Sequence, residues 1–330
     1  MNRKAPVYAI LLLALPLLGL LSLAVGSASI PLPNLLYGLF FRAGFETEAT
    51  ILYAIRLPRL LASFIAGVGL SLSGALLQTV MGNPLASPNT IGVNAGAGLF
   101  AVLCLTLFPN FSAVLPLAAF LGAFGTVLLI LTIAKHVGRG GSHTVILAGI
   151  ACTSLFSAAI SFCNILNDDV LVAYNAFSVG SLDGVSLSVL PLPALLISAS
   201  LAVALSQSGR IAALSLGDEI ASALGVRVGR LRTLCLLLAS VCAAAVVSFA
   251  GLLGFVGLVT PHITRRLFGG NIRSQLAAAP LVGAIVVLLS DLVARVLFRP
   301  AEIPVGIVMA FVGAPFFLYL LLRPRKEERL

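Results

Sequence analysis

The chain has 330 residues, 60% of them hydrophobic and only 9% charged, with a mean hydropathy of +1.13 and a net charge of +9. Soluble domains sit at roughly 45–50% apolar, and no stretch here is long or polar enough to form one. Apolar runs of about 20 residues recur from end to end, each able to cross a bilayer core of about 30 Å. They do not alternate as β-barrel strands do, so the chain reads as an all-α polytopic membrane protein.

The first apolar run, from Val7 to Val25, follows Arg3 and Lys4 and precedes Gly26-Ser27-Ala28-Ser29. A signal peptide has the same order of parts, but its apolar core usually covers about 7–15 residues. This run is longer and holds Pro16, so it is read as a retained first helix. Breaks at charge, Gly and Pro clusters then give spans at 7–29, 59–80, 92–108, 113–135, 143–166, 190–207, 229–250, 252–268, 277–297 and 304–322. Ten transmembrane helices place both termini on one side.

The basic residues choose that side. Arg3, Lys4, Lys135, Arg139, Arg210, Arg227, Arg230, Arg232, Arg265, Arg266, Arg273, Arg323, Arg325, Lys326 and Arg329 fall at one set of span ends. Arg42, Arg56, Arg59, Arg295 and Arg299 fall at the other. The positive-inside rule makes the first set, and both termini, cytoplasmic. The net charge is thus an orientation signal, and no basic soluble face points to nucleic acid. Cys104, Cys152, Cys163, Cys235 and Cys242 lie inside apolar runs with no C-x-x-C pair, as small hydrophobes do. His136, His143 and His262 lack ligand spacing, so no metal site is expected from this chain alone.

A shift of 177 residues aligns Leu61-Ala62-Ser63 with Leu238-Ala239-Ser240, Ala66 with Ala243, Ser71 with Ser248, Gly74 with Gly251, Leu76 with Leu253 and Pro84 with Pro261. The two copies run in opposite directions. That predicts one permease domain, 1–330, with inverted repeat halves at roughly 56–166 and 229–322. Chance matching of helices rich in Ala, Leu and Ser is the competing reading.

Two energy sources are weighed. Ion-coupled carriers keep carboxylates near the bilayer midplane. Here Glu46, Glu48, Asp168, Asp169, Asp183 and Glu302 fall in or near outer loops, and Asp218, Glu219, Glu327 and Glu328 are cytoplasmic. Only Asp291 lies in a span, near its outer end, with Arg295 at i+4 as a helix ion-pair partner. An ion-coupled secondary transporter is therefore the weaker reading. ATP is not bound by this chain either: none of Lys4, Lys135 and Lys326 sits in a Gly-Lys-Ser/Thr phosphate loop. A separate ATPase would need a docking helix. The segment 209–226 supplies one, with Ser215 and Asp218 as a capping box, Asp218 and Glu219 at the helix start, and Gly225 as its stop. Leu216, Ile220 and Leu224 share one face. A plain interfacial helix would look similar.

Several stretches resemble the FecCD family of ABC importer permeases. They are Arg56-Leu57-Pro58-Arg59, Leu72-Ser73-Gly74-Ala75-Leu76-Leu77-Gln78, Gly82-Asn83-Pro84-Leu85-Ala86-Ser87-Pro88 and Ile91-Gly92-Val93-Asn94. Further on come Leu216-Gly217-Asp218, Ala223-Leu224-Gly225-Val226, Gly254-Phe255-Val256-Gly257-Leu258-Val259-Thr260-Pro261-His262, Asp291-Leu292-Val293-Ala294-Arg295, Glu302-Ile303-Pro304-Val305-Gly306-Ile307 and Gly313-Ala314-Pro315-Phe316-Phe317. The resemblance spans nearly the whole chain. It implies a ten-helix permease in the cytoplasmic (inner) membrane, paired with a second copy or a paralogue. Two ATPase subunits carrying ATP and Mg would dock below, on 209–225, and a substrate-binding protein above. The cargo would be an iron-siderophore, with haem and cobalamin as alternatives.

The resemblance also gives the outward arginines a role. Arg56, Arg59 and Arg295 would receive acidic residues of the binding protein, with Pro58 fixing the start of the second span; anchoring to lipid headgroups is the plainer alternative. Within the fifth span, Gly149, Thr153, Ser157 and Ser161 recur at i+4, with Asn164 three further on. This small, weakly polar stripe is expected to line the pathway, unless it serves close helix packing.

Overall fold

The computed structural model describes residues 4–26, 46–108, 112–136 and 142–322, and the regular structure among them is helical. The helices are α1 (Lys4–Ala24), α2 (Glu46–Thr50), α3 (Leu57–Met81), α4 (Val93–Leu107), α5 (Leu115–His136), α6 (Ser142–Leu166) and α7 (Asp168–Val179). They continue as α8 (Pro191–Ser206), α9 (Ser208–Leu214), α10 (Asp218–Ala223), α11 (Val228–Ala250), α12 (Val256–Phe268), α13 (Ile272–Val296) and α14 (Val305–Leu322). Arg3, Arg42, Arg139, Arg323, Arg325, Lys326, Glu327, Glu328 and Arg329, used in placing the charges, lie outside the described residues.

A helix occupies each expected span. Seven described helices are long and apolar enough to cross a membrane: α1, the helix ending in α3, α5, α6, α8, α11 and α13. By contrast α12, at 13 residues, reaches only about 20 Å at 1.5 Å per residue.

The second span does not begin at Pro58. Residues Ile51–Arg56 form a π-helical turn that joins α2 to α3, giving one helix from Thr47 to Met81. Proline removes one N–H and its ring clashes with the carbonyl four residues back. A wider turn with i→i+5 bonds relieves that clash; here the Leu57 N–H bonds to the Leu52 carbonyl. Arg56 and Arg59 therefore sit mid-helix.

α3 is the centre of the bundle. Most of its residues from Ala62 to Met81 are buried, and it packs on α11, α12 and α13. Hydrophobicity cannot drive helices together in lipid, so close backbone approach does. Gly67 of α3 and Gly283 of α13 face each other so closely that a Cβ on either would overlap the other's backbone. Gly96 of α4 and Gly122 of α5 do the same. Ser73 Oγ adds a 2.6 Å bond to the Ala239 carbonyl of α11. At the edge, α1 is only 11% buried across its apolar window.

The aligned copies share helix up to Ser73 and Ala250 and differ beyond. Gly74 lies inside α3 against Gly257 of α12, whereas Gly251 ends α11 at φ 67°. Pro84 follows α3 in a loop, while Pro261 lies inside α12.

Candidate functional site

At the end expected to face outward, the basic side chains turn inward. This corrects the expectation that Arg56, Arg59 and Arg295 point out from the surface: they are 4%, 4% and 3% exposed. Asp291, fully buried on α13, is the hub. Arg59 Nε donates to Asp291 Oδ1 at 2.8 Å, and Arg295 Nε lies 3.1 Å from Asp291 Oδ2. The other face of Arg59 pairs with Glu302 and, at 3.4 Å, with Asp183. The Asp183 side chain is 69% exposed, so this last contact sits at the surface.

The remaining donors go to α1. Arg56 Nη1 donates to the carbonyls of Leu23 and of Ala24, the latter at 3.0 Å. Arg295 Nη1 donates to the Ser22 and Val25 carbonyls at 3.0 and 3.2 Å, and its Nη2 to Ser22 Oγ at 2.6 Å. The last four carbonyls of a helix have no partner within it and carry partial negative charge. Here the Val25 N–H takes the Leu21 carbonyl, and two arginines, from α13 and the turn before α3, satisfy the other three. At its other end α1 is held by Tyr8, whose hydroxyl donates to the Ser274 carbonyl and whose ring meets Phe268 at 4.5 Å.

At the opposite end, the expected coupling segment forms two short helices, α9 and α10. Three apolar side chains stand clear of the protein: Leu216, Ile220 and Leu224 are 60%, 51% and 64% exposed. The expected capping box does not form. Ser215 closes α9 instead, its hydroxyl donating to the Ala212 carbonyl, and Gly217 at φ 110° turns the chain into α10. The carboxylate of Asp218 is taken by Arg232 Nη2 at 2.8 and 3.0 Å. Glu219 beside it is exposed. Gly225 does end the helix: at φ 78° it bonds back to Ser222 while Val226 bonds to Ala221. That double bond is the Schellman pattern, which favours glycine.

The α6 stripe is divided between two environments. A Cβ at Gly149 would crowd the Thr90 carbonyl, and Thr153 Oγ1 lies beside Gly92, so both face the turn before α4. Ser157 and Ser161 are exposed, and Asn164 Oδ1 is buried with no hydrogen-bond partner. Among the described residues, no group of three or more His, Cys, Asp or Glu side chains could hold a metal ion.

The chain is a helical bundle with a polar cluster closed inside one end and an apolar helical face left open at the other. The chain belongs to the FecCD transport family, whose model matches residues 12–323. It is similar to the Fe(3+)-citrate import system permease protein YfmE of Bacillus subtilis, with 38% identity covering 97% of this chain and 96% of that protein. It is also similar to the hemin transport system permease protein HmuU of Yersinia pestis, with 35% identity over 96% and 97%. A solved structure described as an inward-facing conformation of a metal-chelate type ABC transporter superposes with a TM-score of 0.85 at 32% identity, covering 96% of this chain and 99% of that one. The chain is thus a multi-pass permease subunit of an ABC importer of this family.

Proposed function

We propose that this permease passes an iron-siderophore complex from an extracytoplasmic binding protein into the cytoplasm, driven by ATP hydrolysed with Mg on a separate subunit. The observation that carries the ATP-driven reading is the apolar face of α10. Exposed Leu216, Ile220 and Leu224 have no partner to cover them within the described chain, and a groove on an ATPase would desolvate them. The chain itself binds no cofactor in this reading. Ferric citrate and haem, the cargoes in the relatives' names, support an iron chelate; cobalamin is the alternative cargo.

The arrangement we propose is one permease domain crossing ten times, in two inverted halves, with both termini cytoplasmic. It pairs with a second copy or a paralogue. Ser157 and Ser161, on the exposed side of α6, line a neutral passage between the two copies, and Asn164 borders it. The binding protein docks at the Arg59 end. Its carboxylates reach Arg59 by displacing Asp183 or Glu302, the two partners nearest the surface. On this route Asp183→Asn with Glu302→Gln tightens docking, and unchanged or weaker docking contradicts it. The cargo is tested by uptake of labelled ferric siderophore, haem and cobalamin in a deletion strain carrying this permease. Restored ferric siderophore uptake alone supports the reading; restored cobalamin or haem uptake alone replaces it.

A further inference from the structure

Between the ends of α8, α9 and α11 lies a cavity of about 340 Å³. Three guanidinium groups converge on it: Arg210 from α9, Arg227 at the start of α11, and Arg230 one turn on. All three are exposed. Arg210 is held in place by its Nη1 bond to Gln207 Oε1 at 2.9 Å. Arg273 of α13 lies against the neighbouring Gly209. None of the lining residues is acidic. The two carboxylates of the segment lie outside this lining: Asp218 binds Arg232, and Glu219 is exposed.

Like charges this close repel, and Arg227 and Arg230 sit at a helix N-terminus, where the macrodipole also disfavours cations. An anion in the cavity relieves both penalties. The floor says which kind of anion. Val226, Leu231 and Leu234 line it, and Leu234 lies six residues into α11, about 9 Å along the axis. The cavity therefore leads from a cationic rim to an apolar wall on a membrane-crossing helix. A phosphate with an attached hydrocarbon chain matches both parts. A small soluble anion would gain nothing from the apolar wall.

We propose that this cavity is a binding site for the phosphate headgroup of an anionic phospholipid of the inner leaflet, held by Arg210, Arg227 and Arg230. The headgroup fills the cavity where α8 ends and α11 begins and neutralises the base of α11, to which Arg232 also ties α10. The site does not depend on which cargo the permease carries.

The test uses the full chain, delipidated in detergent and titrated with phosphatidylglycerol or phosphatidylcholine, with bound lipid counted by native mass spectrometry. Retention of one phosphatidylglycerol in clear preference to phosphatidylcholine is expected, and this arm needs no variant. Each basic residue near an anionic lipid contributes about fivefold, so Arg210→Gln with Arg227→Gln and Arg230→Gln should weaken retention roughly a hundredfold. Arg265→Gln with Arg266→Gln, on α12, should leave it unchanged. Equal retention of both lipids overturns the proposal, as does loss in the α12 variant equal to that in the triple variant. Displacement by millimolar inorganic phosphate would make it a soluble-anion site, and displacement by the partner ATPase would make it a protein interface; either result also overturns it.

Discussion

Arg56, Arg59 and Arg295 at one end of the bundle are 4%, 4% and 3% exposed, whereas Arg210, Arg227 and Arg230 at the other end are all exposed. The first three are held by Asp291, Glu302, Asp183, the Ser22 hydroxyl and carbonyls at the end of α1. Among the second three, only Arg210 has a side-chain hydrogen bond, to Gln207. The same residue type is a structural fastener at one end and a free charge at the other. The difference comes from what surrounds each. Asp291, Glu302 and the α1 terminus supply acceptors for them, so each of the first three has hydrogen-bond partners where it is buried. At the opposite end the described carboxylates near these arginines in the chain are Asp218, which Arg232 takes, and Glu219, which is exposed.

The contrast predicts unequal sensitivity. The largest effect belongs to Arg59→Ala, which leaves Asp291 buried with one partner fewer. Breaking a buried pair costs ~3–5 kcal/mol, with the lower end expected because Arg295 remains beside Asp291. Thermal unfolding in detergent reads it. A smaller effect belongs to Arg56→Gln, which removes charged hydrogen bonds to Leu23 and Ala24, each class of bond contributing ~1.5–3 kcal/mol. Here hydrogen exchange should rise at the end of α1 while α3 and α11 stay protected; uniform loss across the bundle would break the fastener picture. Least of all, Arg227→Gln should shift stability by no more than about 0.5 kcal/mol, as exposed substitutions do. If Arg227→Gln and Arg59→Ala lower the melting temperature equally, the two ends are not different in kind.

Much of this was legible in the sequence, and the gaps share a cause. Helix positions follow from apolar runs and their Gly and Pro borders, so α5, α6, α8 and α11 lie within a residue or two of expectation. The Asp291–Arg295 pair was legible because i+4 spacing puts both on one helix face. Arg59 and Asp291 are 232 positions apart, and no local pattern links them. The acceptors for Arg56 and for most of the Arg295 bonds are backbone carbonyls, which every residue has, so no side-chain signature marks them. Basic residues beside a long helix at the sparsely charged end read equally well as outward contacts. The capping box failed for a related reason: Ser215 has the right spacing, but Gly217 intervenes with a positive φ and Ser215 is spent on α9.

In the proposed function, the open apolar face at α10 is what the ATPase grips. The most direct measurement is uptake by vesicles holding the permease with its ATPase and binding protein, loaded with ATP and offered labelled ferric siderophore. Uptake should need all three proteins and ATP, and should stop in Ile220→Asp, a substitution at a 51% exposed position that should leave the melting temperature at that of the parent permease. Uptake by the permease alone, driven by a proton or sodium gradient and unchanged in Ile220→Asp, would contradict the account.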